Sequence, residues 1–193
     1  MKRFILASFS LLFALGQAPS QAAEIPAAPA DSWPMYRGTA SLTGLSKSKL
    51  SSSLKQLWAF KADEGIHGTA AIADGRVFVG CDDGKLYALD FKTGKQIWSF
   101  KTEDIVESAP LVRDGKVYFG SSDCFVYALD AKDGKLLWKF ETEDRVLGAP
   151  NFFQPKGKDA KPSLIVGSYD FKLYAFDPVT GKKKWDYETS NYI

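Results

Sequence analysis

The sequence predicts an all-β protein: a β-propeller of four-stranded antiparallel blades, with three complete blades plus an orphan outer strand, belonging to a larger ring of about seven or eight blades. Two observations lead there. Tyr87-Ala88-Leu89-Asp90, Gly94 and Trp98 recur in the same order as Tyr127-Ala128-Leu129-Asp130, Gly134 and Trp138, and again as Tyr174-Ala175-Phe176-Asp177, Gly181 and Trp185. A period of about 40–45 residues with one Trp per unit belongs to radial β repeats rather than helical solenoids. Between the tryptophans, short β-branched and aromatic runs alternate with turn residues, the pattern of consecutive hairpins.

The first unit serves for all three. Gly68-Thr69-Ala70-Ala71-Ile72 is a strand of small residues, suited to the crowded axis of a ring. Asp74-Gly75 is a two-residue hairpin turn that needs positive φ. Arg76 to Gly80 is a strand rich in β-branched and aromatic residues. Asp82-Asp83-Gly84 turns the chain, Lys85 to Asp90 runs back, Lys92-Thr93-Gly94 turns again, and Gln96 to Phe100 closes the blade. The blades are expected at about residues 68–102, 108–142 and 148–189. The third carries extra residues between Asn151 and Ser163, in the hairpin joining its first two strands. Upstream, Lys55 to Phe60 matches only the last strand of a blade, with Trp58 in the Trp position and no Ala, Asp or Gly before it. Such an orphan is expected to complete the final blade of a closed ring, removing an exposed edge. Three blades do not close a ring, so further C-terminal blades of the same propeller are expected.

The spacing Ala-x-Asp-x-x-x-Gly-x-x-x-Trp, held by Ala88, Asp90, Gly94, Trp98, by Ala128, Asp130, Gly134, Trp138 and by Ala175, Asp177, Gly181, Trp185, resembles the tryptophan-docking motif of the quinoprotein-type (PQQ-like) β-propeller repeat. That resemblance covers about residues 55–189. It implies that each indole lies between the Ala and the Gly of the neighbouring blade, and that each Asp ties down its turn. These twelve residues are therefore structural, with Trp98, Trp138 and Trp185 all buried between blades. Within this repeat family the chain resembles both BamB-type outer-membrane assembly scaffolds, which hold proteins without a cofactor, and quinoprotein alcohol dehydrogenases, which bind pyrroloquinoline quinone (PQQ) and calcium on the ring axis.

Met1-Lys2-Arg3 followed by an apolar run from Phe4 to Leu15 and small residues up to Ala23 reads as a cleaved secretory signal over residues 1–23, too short for a membrane span. Without a Cys at that site no lipoprotein anchor is expected, and the style of signal points to the bacterial periplasm or exterior. Residues 24–32 are Ala- and Pro-rich and read as a flexible linker. Residues 33–54, with Trp33-Pro34-Met35-Tyr36, form a lead-in segment expected to cap the first blade, with a ligand platform made by Trp33 and Tyr36 as the alternative. The formal charge is +2, and removing Lys2 and Arg3 leaves 23 basic against 23 acidic residues. A near-neutral mature chain argues against a nucleic-acid partner.

The chemistry-bearing residues are few. His67 is the single histidine and has no ligand-spaced neighbours. No nucleophile has a sequence-level partner, so no catalytic or metal-binding residue is assigned. An oxidising compartment allows a Cys81–Cys124 disulfide, but the two occupy different positions in their blades, so two buried or free thiols are the favoured reading. Inter-blade loops and second-to-third-strand turns carry mostly acidic residues, while the opposite turns carry Lys and Arg; two oppositely charged faces are expected. The residue nine positions after each Trp differs in every copy: His67, Glu107 and Leu147. Variation beside invariant framework residues marks these three as candidate partner-binding positions at the ring mouth. A protein-binding scaffold without a cofactor is the favoured function, and a piece of a PQQ- and calcium-dependent alcohol dehydrogenase the alternative.

Overall fold

The computed structural model describes residues 32–193 except 47, 50, 51, 158 and 159. The signal at 1–23 and all but the end of the linker lie outside the described residues. Among the described residues, twelve strands form three four-stranded antiparallel sheets, each a meander. The first is β1 (Ala71–Ala73), β2 (Arg76–Gly80), β3 (Lys85–Asp90) and β4 (Gln96–Lys101). The second is β5 (Leu111–Arg113), β6 (Lys116–Gly120), β7 (Phe125–Asp130) and β8 (Leu136–Glu141). The third is β9 (Asn151–Phe153), β10 (Ser163–Gly167), β11 (Lys172–Phe176) and β12 (Lys183–Glu188). The expected blades are thus present in order, and the added residues of the third fall between β9 and β10. The innermost strands are shorter than expected: the ladder begins at Ala71, not Gly68.

Turn chemistry sets the register. Asp74-Gly75 and Asp114-Gly115 both have positive φ at both residues, the I′ geometry that matches strand twist. Asp90 Oδ1 accepts from the backbone N–H groups of Lys92 and Thr93 at 3.1 and 2.8 Å, and Asp177 Oδ1 does the same for Val179 and Thr180. These are Asx-turns, and each leads into a Gly at φ 68 to 74°.

That Gly is where the next indole lands. The Trp98 indole N–H donates to Ala131 O at 3.3 Å, and a Cβ on Gly134 would sit 2.8 Å from the Trp98 ring. Trp138 repeats this on the third blade, donating to Pro178 O at 3.2 Å and covering Gly181. Trp58 does the same on the first blade, donating to Phe91 O at 2.9 Å and covering Gly94. Its segment makes no ladder, however, because no strand among the described residues pairs with it. The Ala of the motif comes from the indole's own blade, which corrects the expectation that it comes from the neighbour: Ala88 pairs with Trp98 and Ala128 with Trp138 across adjacent strands. Cross-strand partners share a face at about 5 Å, so a larger side chain would occupy the indole's place. A bulge follows each pair: Ala88 pairs with Trp98 but Leu89 with Gln96, leaving Ile97 unmatched. Bulges bend and re-aim a strand, and this one recurs beside Trp138 and Trp185.

Trp98 and Trp138 are each 9% exposed, but Trp185 is 46% exposed and Tyr187 66%. The expected burial of Trp185 is therefore not found: no turn among the described residues packs over the β12 face. The lead-in segment also differs from expectation. It reaches past the first blade. Trp33 bridges Ile72 of β1, Pro34 O accepts from the Val112 N–H of β5 at 2.7 Å, and Met35 is buried with Leu111 and Phe152 of the second and third blades. It thus ties the inner strands together.

Two pairs of variants test this docking. Trp138→Ala should lower stability by about 3–5 kcal/mol, as removal of a buried aromatic does, whereas Trp185→Ala should cost under about 1 kcal/mol. Gly115→Ala meets open space and should cost only the about 1–2 kcal/mol of a left-handed residue; Gly134→Ala should cost more, because the Trp98 ring must also move. Urea unfolding of the four variants measures both differences, and equal losses within either pair would show that indole docking is not what holds the blades.

Candidate functional site

The strand order places the inter-blade loops and the second-to-third-strand turns on one face, where they are stitched together by backbone bonds. Asp82 N–H donates to Gly65 O, Ser122 N–H to Ile105 O and Tyr169 N–H to Arg145 O, all at 2.9 Å. The opposite turns meet likewise, through Phe91 N–H to Gly75 O and Ala131 N–H to Gly115 O.

The acidic loop face holds a repeated device that sequence reading missed. Asp83, Asp123 and Asp170 each accept a hydrogen bond from the Tyr four residues later, at 2.5, 2.7 and 2.6 Å. Asp123 and Asp170 also accept the backbone N–H of Glu103 and Glu143 from the preceding loop, so each carboxylate joins two blades. The Asp-x-x-x-Tyr spacing was visible in all three copies and could have revealed it. Burial works against ionisation of Asp83, but the bonds from Tyr87 and Lys85 outweigh it and hold its carboxyl below the usual carboxylate range. Asp170 is held low in the same way by Tyr174 and by backbone N–H groups. Burial pushes the Tyr87, Tyr127 and Tyr174 phenols up, and the carboxylate beside each adds to this. Asp63 and Glu143 are paired with Lys85 and Lys172. Much of the acidic charge counted in the sequence is therefore engaged within the framework, which weakens the expected contrast between the faces. Glu64, Glu103 and Glu107 have no ion pair among the described residues.

Cys81 and Cys124 are free thiols, so the Cys81–Cys124 disulfide that an oxidising compartment would allow is not formed. Cys81 stands where the other blades have Ser121 and Ser168, whose hydroxyls donate to loop carbonyls. Cys124 stands in the second-to-third-strand turn at φ 70°, the position of Gly84 and Phe171. Burial pushes both thiols up, away from the reactive thiolate.

His67, Glu107 and Leu147 are brought together. They line one open depression of about 410 Å³ at the inner edge of the loop face. Its floor comes from the small residues that follow them, including Gly68, Ala109 and Ala149, and Tyr36 of the lead-in segment closes one side. A Cβ on Gly68 would lie 2.5 Å from Glu107 O, so only a residue without one lets these loops meet. His67 Nε2 lies 3.0 Å from Asp82 Oδ2. Glu107 is half-buried and makes no hydrogen bond or ion pair among the described residues. The part played by Tyr36 could not be read from the repeat, to which it does not belong.

The lining bears on the cofactor implied by the alternative reading. PQQ carries carboxylates that call for Lys or Arg, and the depression presents neither; Glu107 opposes them. Calcium takes six to eight oxygen ligands, and no group of three or more Asp, Glu, His or Cys among the described residues could hold a metal ion. The residues present do not fit the group.

Three blades docked by indoles, with a lead-in segment across their inner strands, define a partial β-propeller of the quinoprotein-like repeat class. A family profile described as "Outer membrane protein assembly factor BamB" matches residues 50–192, and the chain belongs to that family. No curated protein sequence matches it. Among solved structures, BamB from Moraxella catarrhalis is similar with TM-score 0.57 and 26% identity over 68% of this chain and 39% of that one. Quinohemoprotein alcohol dehydrogenase from Comamonas testosteroni gives TM-score 0.68 and 26% identity over 84% and 28%. A europium-containing methanol dehydrogenase gives TM-score 0.68 at 23% identity over 83% and 32%, a likeness of fold alone. The chain spans less than two fifths of the length of these structures.

The engaged carboxylates predict an acid dependence. Asp83 and Asp170 are depressed below the unfolded value of about 3.9. Between the two values the unfolded chain binds protons that the folded chain does not, so stability is present above about pH 4 and lost as pH falls through the folded values. The urea midpoint should drop between about pH 5 and 3, and drop less in an Asp83→Asn, Asp170→Asn double variant. An unchanged slope would remove these residues from the account.

Proposed function

We propose that this chain is part of an exported, non-catalytic β-propeller that holds protein partners at the mouth formed by His67, Glu107 and Leu147. The observation that carries this is the depression itself. Three repeat positions that the fold leaves free to vary converge on it, and the groups lining it suit recognition rather than chemistry: one unpaired carboxylate, a His engaged by Asp82, an aromatic ring and small apolar residues. Membership of the BamB family supports it, and suggests that the partner belongs to outer-membrane protein assembly. The periplasmic side of the outer membrane is the compartment that fits the signal-like start. The exposed β12 face, with the same Trp that is buried at the other two interfaces, supports further blades of this propeller as its natural cover.

The alternative, a portion of a PQQ-dependent dehydrogenase, draws on the higher TM-score to the quinohemoprotein enzyme. Backbone likeness reports the shared ring, however, and a lining without Lys or Arg supports the scaffold reading for the part of the ring described.

Photo-crosslinking in living cells distinguishes these readings. A crosslinking amino acid at Leu147 should give a defined protein adduct, identified by mass spectrometry, and one at Lys92 on the opposite face should not. Adducts from Lys92 alone would overturn the placement. Dye-linked alcohol oxidation by the purified protein, dependent on added PQQ and calcium, would overturn the non-catalytic reading.

A further inference from the structure

We propose that the depression takes a cationic side chain of the partner, a lysine or arginine, with Glu107 as its counter-charge. This rests on the reading of the mouth as a protein-binding site and names the chemistry it selects.

Glu107 is a half-buried carboxylate in an open depression, with no hydrogen-bond donor or cation paired to it among the described residues. His67, the one group in the lining able to carry positive charge, is directed to Asp82 at 3.0 Å. On the loop face, Lys85 and Lys172 are committed to Asp63, Asp83 and Glu143, and Lys101 donates to Asp83 O. Arg145 lies 5.0 Å over the Tyr169 ring. Glu107 is left as the unpaired charge of a concavity large enough for a side chain. The remaining lining suits the rest of such a side chain. Leu147, Ala109 and Ala149 offer apolar contact to a methylene stem, and Tyr36, 45% exposed, offers a ring to the cationic head. Glu64 and Glu103, also without ion pairs, lie on the same face and would draw a basic segment toward the mouth. An acidic partner would meet like charge, and a purely apolar one would leave Glu107 buried without a donor.

The test uses the 193-residue chain and four capped tripeptides, Ala-X-Ala with X as Lys, Arg, norleucine or Glu, followed by NMR. The Lys and Arg peptides should shift the amide signals of 67–69, 107–109 and 147–149 saturably, and the norleucine and Glu peptides should not. Glu107→Gln should weaken Lys-peptide binding about tenfold or more, while Glu64→Gln should change it less than about twofold. Circular dichroism confirms folding of both variants. Equal binding of the norleucine peptide, preference for the Glu peptide, no saturable shift with any peptide, or full binding by Glu107→Gln would each overturn the assignment of a cation. Loss of the Leu147 crosslink in cells instead overturns the scaffold reading, so the two failures are separable.

Discussion

The docking of one blade's indole onto the next blade's glycine turn is the contact on which the rest of this structure depends. Each blade alone is a small sheet with two apolar faces, too thin to bury a core. The indole joins neighbouring faces with a hydrogen bond to a turn carbonyl and broad ring contact. It demands a residue with no side chain beneath it and a small Ala beside it. The same Gly must also hold a left-handed φ, so backbone conformation and packing impose one residue together. This double demand explains why the motif is the most regular feature of the sequence.

What was legible in the sequence follows from that. The positions set by close contact repeat identically, so blade number, strand order and turn type could be read directly. Trp185 shows the limit. Its motif is identical to the others, yet its exposure depends on what lies across from it, and a pattern within one blade carries no information about the neighbour. The Lys55–Phe60 segment fails as a strand for the same reason: its sequence fits, but a ladder needs a partner. The Asp-x-x-x-Tyr device was overlooked because acidic turn residues ordinarily face water, and only the geometry shows that these carboxylates are enclosed by donors. The free cysteines follow from position, since Cys81 fills a framework serine's place and Cys124 a tight turn.

The candidate site was legible by the opposite logic. His67, Glu107 and Leu147 were singled out because they vary where their neighbours do not, and radial symmetry brings equivalent positions to one rim. A ring of repeats converts sequence divergence at one register into a patch of mixed chemistry around the axis. What the repeat could not supply was Tyr36, which arrives from outside it and gives the depression its aromatic wall. The lead-in segment thus serves both purposes, bridging the inner strands through Trp33, Pro34 and Met35 and presenting the next residue to the mouth.

Electrostatics at the mouth must also be counted after folding rather than before. The loop face reads as strongly acidic in sequence, yet Asp83, Asp123 and Asp170 are enclosed by their own donors, and Asp63 and Glu143 are paired with lysines. A carboxylate held by tyrosine and backbone donors is a strut; it contributes little to attraction at a distance, because its field is already answered locally. The charge available to a partner is therefore concentrated in the few groups the framework leaves unanswered, and Glu107 is the one among them placed in a concavity. On the proposed reading, selectivity at such a mouth comes from this separation. The framework takes its acids from positions that repeat, and on that reading recognition takes its acid from a position that does not.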